Sequence, residues 1–216
     1  MPDNTVFLFD VDNTLLDNDA VAADLRAHLT EQFGNERQQR YWDEFEALRS
    51  ELGYADYLGA LQRFRVAYPH ETRMLEMSEW LLQYPFAERV YPKALEVVEQ
   101  TRAHGRPVIL SDGDVVFQPR KIRRSGLWDA FRGDVLVYIH KELELEDVER
   151  RYPADHYALV DDKVRILAAV KEAWGDRVTT IFPRQGHYAH DAEQLARYPA
   201  PDVTVERIAD VLDLER

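Results

Sequence analysis

The chain begins with an apolar segment that runs directly into acidic residues. Residues 5–11 read TVFLFDV, in which β-branched and aromatic side chains occupy both faces of an extended backbone. A strand that is apolar on both faces is typical of a parallel sheet covered by helices on both sides. We therefore predict a buried strand here, followed at once by the carboxylates of Asp10 and Asp12.

The next part of the chain, residues 19–83, has the hydrophobic periodicity of helices. Apolar positions recur every three or four residues in four stretches, and each stretch stops at a glycine or before a proline. The four stripes are Val21, Leu25, Leu29 and Phe33; Tyr41, Phe45, Leu48 and Leu52; Tyr57, Leu61, Phe64 and Tyr68; and Met74, Met77 and Leu81. The pattern predicts a module of four helices.

After this module the patterns of strand and helix alternate. Strands are predicted in the segments PVILSDGD, DVLVYI, HYALVDD and VTTIF. Helices are predicted in PKALEVVEQTRAHG, QPRKIRRSG, KELELEDVERR and KVRILAAVKEAWG. Alternation of this kind indicates right-handed βαβ units and a doubly wound parallel sheet. We predict an α/β fold whose first strand is separated from the others by the inserted helical module.

Composition excludes several classes of protein. The chain has 216 residues, of which 45% are hydrophobic and 31% charged, as expected for a globular protein with one sizeable core. A net charge of −13 argues against nucleic-acid binding, and the absence of cysteine excludes disulfides and thiol chemistry. No apolar run approaches the roughly 20 residues that span a membrane, and the first residues do not resemble a signal peptide. We expect a cytoplasmic protein; its oligomeric state is not indicated.

Polar side chains follow the predicted strands where those strands end. In open α/β sheets, ligands bind beyond the carboxyl ends of the strands. The residues at these ends are Asp10 and Asp12, Ser111 and Asp112, Lys141, and Asp161 and Asp162. Two carboxylates about 4 Å apart repel each other by roughly 4 kcal/mol near a protein surface, so either they lie in a solvated loop or a positive group lies between them.

This set of side chains suits reactions at phosphorus. Carboxylates from two strand ends, such as Asp10 and Asp161, offer Mg²⁺ the hard oxygen ligands that it prefers. One carboxylate could attack phosphorus, and a second could exchange a proton with the leaving group and with water. Ser111 and the backbone N–H groups after it could hold phosphate oxygens, while Lys141 could neutralise their charge.

Each of these residues also has a structural interpretation. Asp10 and Asp12 could form a solvated turn, and Lys141 could begin a helix rich in glutamate. Asp162 could cap the helix that follows it. The basic positions in residues 120–124 are interpreted as a solvated helix face, and Trp42, which lies off its helical stripe, is a candidate for a pocket wall.

Four short motifs resemble those of the haloacid dehalogenase-like hydrolase superfamily. FDVDNT matches the Asp-x-Asp-x-Thr motif of that family, VILSDG resembles its second motif, Lys141 its third and LVDDK its acidic fourth. The motifs lie in the family's order, and the inserted helices resemble its C1-type cap. The resemblance covers essentially the whole chain. It implies a Rossmann-like catalytic core, residues 1–16 and 90–216, and an inserted helical cap domain, residues 17–89.

The resemblance also implies a role for each motif residue. Asp10 would be the nucleophile and a Mg²⁺ ligand, and Asp12 the general acid and base, with its backbone carbonyl on the metal. Asp161 would bind Mg²⁺, with Asp162 on the metal or beside it. The phosphoryl group would be bound by Ser111, Asp112 and Lys141.

Among the reactions of the family, the sequence favours hydrolysis of a phosphate ester. Dehalogenases of the family lack an acid two residues after the nucleophile, whereas this chain has Asp12. Phosphonate cleavage in relatives uses a lysine of the cap, and residues 17–89 contain none. We expect a Mg²⁺-dependent phosphatase that acts on a small phosphorylated metabolite through an aspartyl-phosphate. A phosphomutase, and a non-catalytic phosphate-binding or regulatory protein of the same fold, remain alternatives.

Overall fold

A single parallel sheet forms the centre of the molecule. The computed structural model describes residues 4–214. The strands within them are β1 Thr5–Phe9, β2 Arg106–Asp112, β3 Val135–Tyr138, β4 His156–Val160, β5 Val178–Pro183 and β6 Val203–Val205. They lie in the order β3-β2-β1-β4-β5-β6, and every neighbouring pair is parallel. The predicted α/β fold with a doubly wound parallel sheet is confirmed.

Along the chain, at least one helix lies between each strand and the next. The α-helices of the described residues are α1 Asn18–Phe33, α2 Asn35–Leu52, α3 Tyr57–Ala67, α4 Met74–Gln83, α5 Ala94–Thr101, α6 Phe117–Arg124, α7 Leu127–Ala130, α8 Leu145–Arg151, α9 Val164–Trp174 and α10 Ala192–Arg197. The segment KELELEDVERR differs from its prediction as one helix, because Lys141–Leu143 form a separate 3-10 turn before α8.

The four helices predicted from hydrophobic periodicity are α1 to α4. Asp17 caps α1 by accepting a hydrogen bond from the backbone N–H of Ala20 at 2.9 Å, and Asp56 caps α3 in the same way. Helix α2 ends at Gly53, whose φ of 81° is a left-handed conformation that favours glycine. All four helices lie between β1 and α5 along the chain. The division into a core and a cap domain at residues 16/17 and 89/90 stays a prediction.

The sheet is buried on both faces, as the first strand predicts. Phe7 and Phe9 of β1 point into one hydrophobic cluster, and Val6 and Leu8 point into the other. The alternation follows from the two-residue period of a strand. The cluster that contains Phe9 continues into the apolar stripes of α1 to α4, so the inserted helices and the sheet share one core.

The sequence did not predict the last strand or the helix before it. Strand β6 has three residues and pairs with β5, and α10 has six. Elements this short carry too few positions for a period to be recognised. None of the helices in residues 4–214 combines the length and the apolar composition needed to cross a membrane.

Candidate active site

The order of the strands brings the polar strand ends together. Strand β1 lies between β2 and β4, and β3 lies on the far side of β2. Asp10 therefore follows the central strand, with Ser111 on one side of it and Asp161 on the other. The convergence that the sequence predicted, which depends on these strands being neighbours, is present.

Lys141 links two carboxylates at the centre of this edge. Its Nζ lies 2.5 Å from Oδ1 of Asp10 and 2.6 Å from Oδ2 of Asp161, and all three side chains are buried. Burial alone would lower the pKa of Lys141, but the carboxylates of Asp10 and Asp161 outweigh it and hold that pKa well above its usual value. The ammonium group therefore pairs with these two carboxylates and not with the glutamates that follow it in sequence.

The backbone around Lys141 is held by Asp112. Oδ1 of Asp112 accepts a hydrogen bond from the backbone N–H of Lys141 at 2.8 Å. Nζ of Lys141 also donates to the carbonyl oxygen of Leu110 at 3.2 Å. Asp112 thus joins the end of β2 to the segment after β3, and its predicted contact with phosphate stays a prediction.

Three buried carboxylates form a cluster with the dimensions of a cation site. Asp10, Asp161 and Asp162 each place a carboxylate oxygen within 4.8 Å of the others. Among the described residues, Oδ2 of Asp10 and both carboxylate oxygens of Asp162 have no hydrogen-bond donor. Buried polar atoms are rarely left unpaired in native proteins, so this set fits a hard divalent cation.

The electrostatics of the cluster reflect its burial. Burial, partly offset by Lys141, raises the pKa of Asp161 to about 6. Burial also raises the pKa of Asp162 well above its usual value.

Asp162 does not cap α9, since neither of its oxygens accepts a hydrogen bond from residues 4–214. Its backbone N–H donates to Oγ1 of Thr14 at 3.1 Å, which joins this loop to the loop after β1.

Asp12 is held by a lysine that was interpreted from the sequence as solvent-exposed. Nζ of Lys121 lies 2.7 Å from Oδ1 and 3.0 Å from Oδ2 of Asp12, and it also donates to Oδ1 of Asn18 at 3.0 Å. Lys121 is only 1% exposed, so the interpretation of a solvated face is wrong for this residue. One signal was available: Lys121 follows Phe117 by four residues and so shares the apolar face of α6.

Gln118 connects Asp12 to Ser111. Its Nε2 donates to Oγ of Ser111 at 3.0 Å and to Oδ2 of Asp12 at 3.3 Å. Ser111 is buried, and its hydroxyl donates to the carbonyl oxygen of Asp112 at 3.2 Å. Sequence reasoning missed Gln118, which has no motif of its own. The predicted phosphate contact of Ser111 stays a prediction.

A cavity of about 630 Å³ opens above these residues. Its lining includes Asp12, Asp112 and Asp162, together with residues of α1 and α2. Trp42, the candidate wall residue, lines it. A volume of this size suits a small-molecule ligand.

Comparison with known proteins identifies the family. The model of the haloacid dehalogenase-like hydrolases matches residues 5–174. The chain belongs to this family. A structure from Burkholderia xenovorans LB400, described as a haloacid dehalogenase-like hydrolase, is 62% identical, with a TM-score of 0.94 over 99% of this chain and 97% of that one. A search of the curated proteins found no match.

More distant structures of the haloacid dehalogenase-like family share the fold. L-2-haloacid dehalogenase from Xanthobacter autotrophicus, with chloropropionic acid covalently bound, is 18% identical over 99% of this chain and 98% of that one, with a TM-score of 0.64. YfnB from Bacillus subtilis, bound to magnesium, is 16% identical over 98% of both chains, with a TM-score of 0.63. At these identities the likeness shows the fold alone.

Proposed function

We propose that this hydrolase removes the phosphate group from a small phosphomonoester in a Mg²⁺-dependent reaction. The observation that carries the proposal is the arrangement of two carboxylates after β1. Asp10 is buried against Lys141, while Asp12 lines the cavity and is held by Lys121 and Gln118. A leaving alkoxide needs a proton donor, whereas a halide does not. Because Asp12 is fixed in position as a proton donor, hydrolysis of a phosphate ester is favoured over dehalogenation.

The acidic cluster is the proposed metal site. Asp10, Asp161 and Asp162 would hold Mg²⁺ through their carboxylate oxygens, and Asp12 through its backbone carbonyl. The bound ion would supply positive charge to the phosphoryl oxygens and relieve the repulsion among the carboxylates. YfnB from Bacillus subtilis, which shares the fold, is a structure bound to magnesium.

The proposed reaction has two chemical steps. First, a carboxylate oxygen of Asp10 forms a bond to phosphorus while the bond from phosphorus to the ester oxygen breaks, and Asp12 gives its proton to that oxygen. The alcohol leaves and an aspartyl-phosphate remains. The oxygen of a water molecule then forms a bond to phosphorus while Asp12 takes a proton from it. The bond from phosphorus to the Asp10 oxygen breaks, which frees the carboxylate and inorganic phosphate.

The other residues would bind and orient the phosphoryl group. Ser111 and the backbone N–H groups after β2 would hold its oxygens, and Lys141 would neutralise charge that develops on them. Lys121 and Gln118 would fix the direction of the Asp12 carboxylate. Such positioning of a proton donor contributes to rate because the reacting atoms start close together.

Phosphate release from a panel of phosphorylated metabolites and one aryl phosphate, with and without Mg²⁺, tests the proposal. We expect turnover that requires Mg²⁺ and is abolished by Asp10→Asn, which leaves the circular dichroism spectrum unchanged. Asp176→Asn, a substitution of an exposed aspartate, is the matched control and should retain activity.

Four results would contradict the proposal. Equal rates for Asp10→Asn and the parent would exclude Asp10 as the nucleophile. Halide release from 2-haloacids without phosphate release would assign a dehalogenase. Tight phosphate binding with no release from any ester would favour the non-catalytic alternative, and transfer of the phosphate within one sugar would favour a phosphomutase.

A further inference from the structure

The guanidinium group of Arg26, in the cavity wall, is not paired with a carboxylate of the described residues. Arg26 lies in α1 and lines the cavity. No aspartate or glutamate of residues 4–214 forms an ion pair with its guanidinium group. The charge that Arg26 brings to the cavity is therefore not cancelled by a paired carboxylate from this part of the chain.

Neutral groups hold this guanidinium in place. Its Cζ lies 4.5 Å from the ring centroid of Trp42. The amide oxygen of Gln38, in the orientation that satisfies its neighbours, lies 3.0 Å from Nη1 of Arg26 and 3.0 Å from Nε1 of Trp42. Gln38 is itself buried. Because these partners carry no negative charge, they fix the position of Arg26 and leave its charge available to a ligand.

The other basic residues of the cavity differ from Arg26. Burial alone would lower the pKa of Lys163, but nearby carboxylates, that of Asp162 above all, outweigh it and raise that pKa. Lys121 is paired with Asp12. Arg49 is bonded to the hydroxyl of Tyr188 and lies 3.7 Å from a carboxylate oxygen of Glu46. The remaining arginines each lack one of the two properties that Arg26 combines. Arg165 pairs with Glu142. Arg197 has no hydrogen bond to fix it within the described part of the chain, and its Cζ lies 5.9 Å from the ring centroid of Tyr198.

The position of Arg26 sets the length of a ligand that could reach it. Asp19 lies at the catalytic end of α1, where it also lines the cavity, and Arg26 follows it by seven residues. Seven residues correspond to about 10 Å along a helix. The cavity lining from α1 and α2 also includes the apolar side chains of Ala22, Trp42 and Phe45, together with Glu46, whose carboxylate lies 3.7 Å from Arg49.

We propose that Arg26 binds a second anionic group, a carboxylate or a phosphate, at the end of the substrate far from the reacting phosphorus. The inference rests on the proposed phosphatase function. The substrate is then an elongated phosphomonoester with an apolar middle and a negative charge at its far end. The planar guanidinium is suited to both kinds of anion because it donates two parallel hydrogen bonds.

A series of synthetic phosphate esters tests this subsite. Linear alkyl monophosphates of increasing length are prepared with a terminal hydroxyl, a terminal carboxylate or a second phosphate. We expect the anionic ends to raise kcat/KM only when the chain is long enough to span about 10 Å. For each chain length, the kcat/KM of the anionic ester is divided by that of the hydroxyl ester. In Arg26→Gln this ratio should fall about tenfold or more at the lengths that reach Arg26. The carboxylate and bisphosphate arms show which anion is preferred.

Two further variants make the test specific. Arg40→Gln removes an exposed arginine of α2 that pairs with Glu44, and it should keep the ratio of the parent. Arg26→Lys keeps the charge and should retain a larger part of the ratio than Arg26→Gln. An equal ratio in Arg26→Gln and the parent at every length would overturn the subsite, even though phosphate is released. No release from any ester would instead overturn the proposed function.

Discussion

Lys141 reaches across one strand of the sheet to bind Asp10. The lysine follows β3 and the aspartate follows β1, with β2 between them, yet Nζ lies 2.5 Å from the carboxylate oxygen. The same ammonium group lies 2.6 Å from Asp161, which follows β4. One positive charge therefore holds the ends of the central strands together.

Removing this charge should destabilise the protein. Lys141→Met leaves two buried carboxylates facing each other, and breaking a buried ion pair in this way costs about 3–5 kcal/mol. Urea denaturation without metal would measure the loss. We expect Lys141→Met/Asp161→Asn to recover part of it, because one of the two unpaired charges is then absent.

A surface lysine provides the control for this prediction. Lys171 pairs with Asp202 at 2.9 Å where both side chains are about one-third exposed, so Lys171→Met should change the free energy of unfolding by about 1 kcal/mol or less. An equal loss of unfolding free energy in Lys141→Met and Lys171→Met would show that the buried ion pair contributes no more to stability than the exposed one.

Lys121→Met should slow the reaction by releasing Asp12. The substitution removes the ammonium group 2.7 Å from Asp12, and we expect kcat to fall about 10-fold to 100-fold for alkyl phosphates. The loss should be smaller for an aryl phosphate, whose leaving group needs less help from a proton donor. A comparison of kcat for the two substrate classes measures the difference.

The matched control for Lys121 lies on the same helix. Arg123 is exposed on α6 and stacks on Trp128, so Arg123→Met should leave both rates near those of the parent. An equal loss of kcat for alkyl and aryl phosphates in Lys121→Met would refute a role in positioning the acid, and would indicate general damage to the site.

Metal binding should be visible in thermal unfolding without any substrate. A ligand that binds the native state at 100 times its Kd stabilises it by about 2.7 kcal/mol, so Mg²⁺ should raise the Tm of the metal-free protein. In Asp162→Asn that rise should be much smaller at the same Mg²⁺ concentration, because two unpaired carboxylate oxygens are replaced by one neutral amide. Asp176→Asn should retain the full rise. An equal rise in Asp162→Asn and the parent would place the ion elsewhere.

Phe131→Ala should lower stability through the core under β1. Phe131 is fully buried, and its ring meets that of Phe9 edge to face with the centroids 5.7 Å apart. Loss of a buried phenylalanine ring costs about 3–5 kcal/mol, which urea denaturation would detect. Val115→Ala, at a side chain that is 87% exposed, should change stability by no more than about 0.5 kcal/mol. Similar values for the two variants would contradict this account of the core.

Much of the fold follows from patterns that extend over one element. The apolar stripes that end at Gly34 and Gly53 predicted α1 and α2. Such a prediction succeeds because both the helical period and a terminal glycine depend only on neighbouring residues. The residues at the strand ends were also found from sequence, since the chain itself places Asp10 after β1 and Asp161 after β4. Their catalytic roles remain predictions.

The sequence by itself determined the order of the first five strands and of most helices, the buried character of β1 and the identity of the acidic strand ends. Only the tertiary structure revealed that Lys121 holds Asp12 and that Arg26 stands without an acidic partner at the cavity. Lys121 and Asp12 are separated by 109 positions in the chain. Hydrophobic periodicity shows which face of a helix is buried, but the partner of a charged side chain on that face depends on how distant elements pack, and this is set only when the sheet and the inserted helices come together.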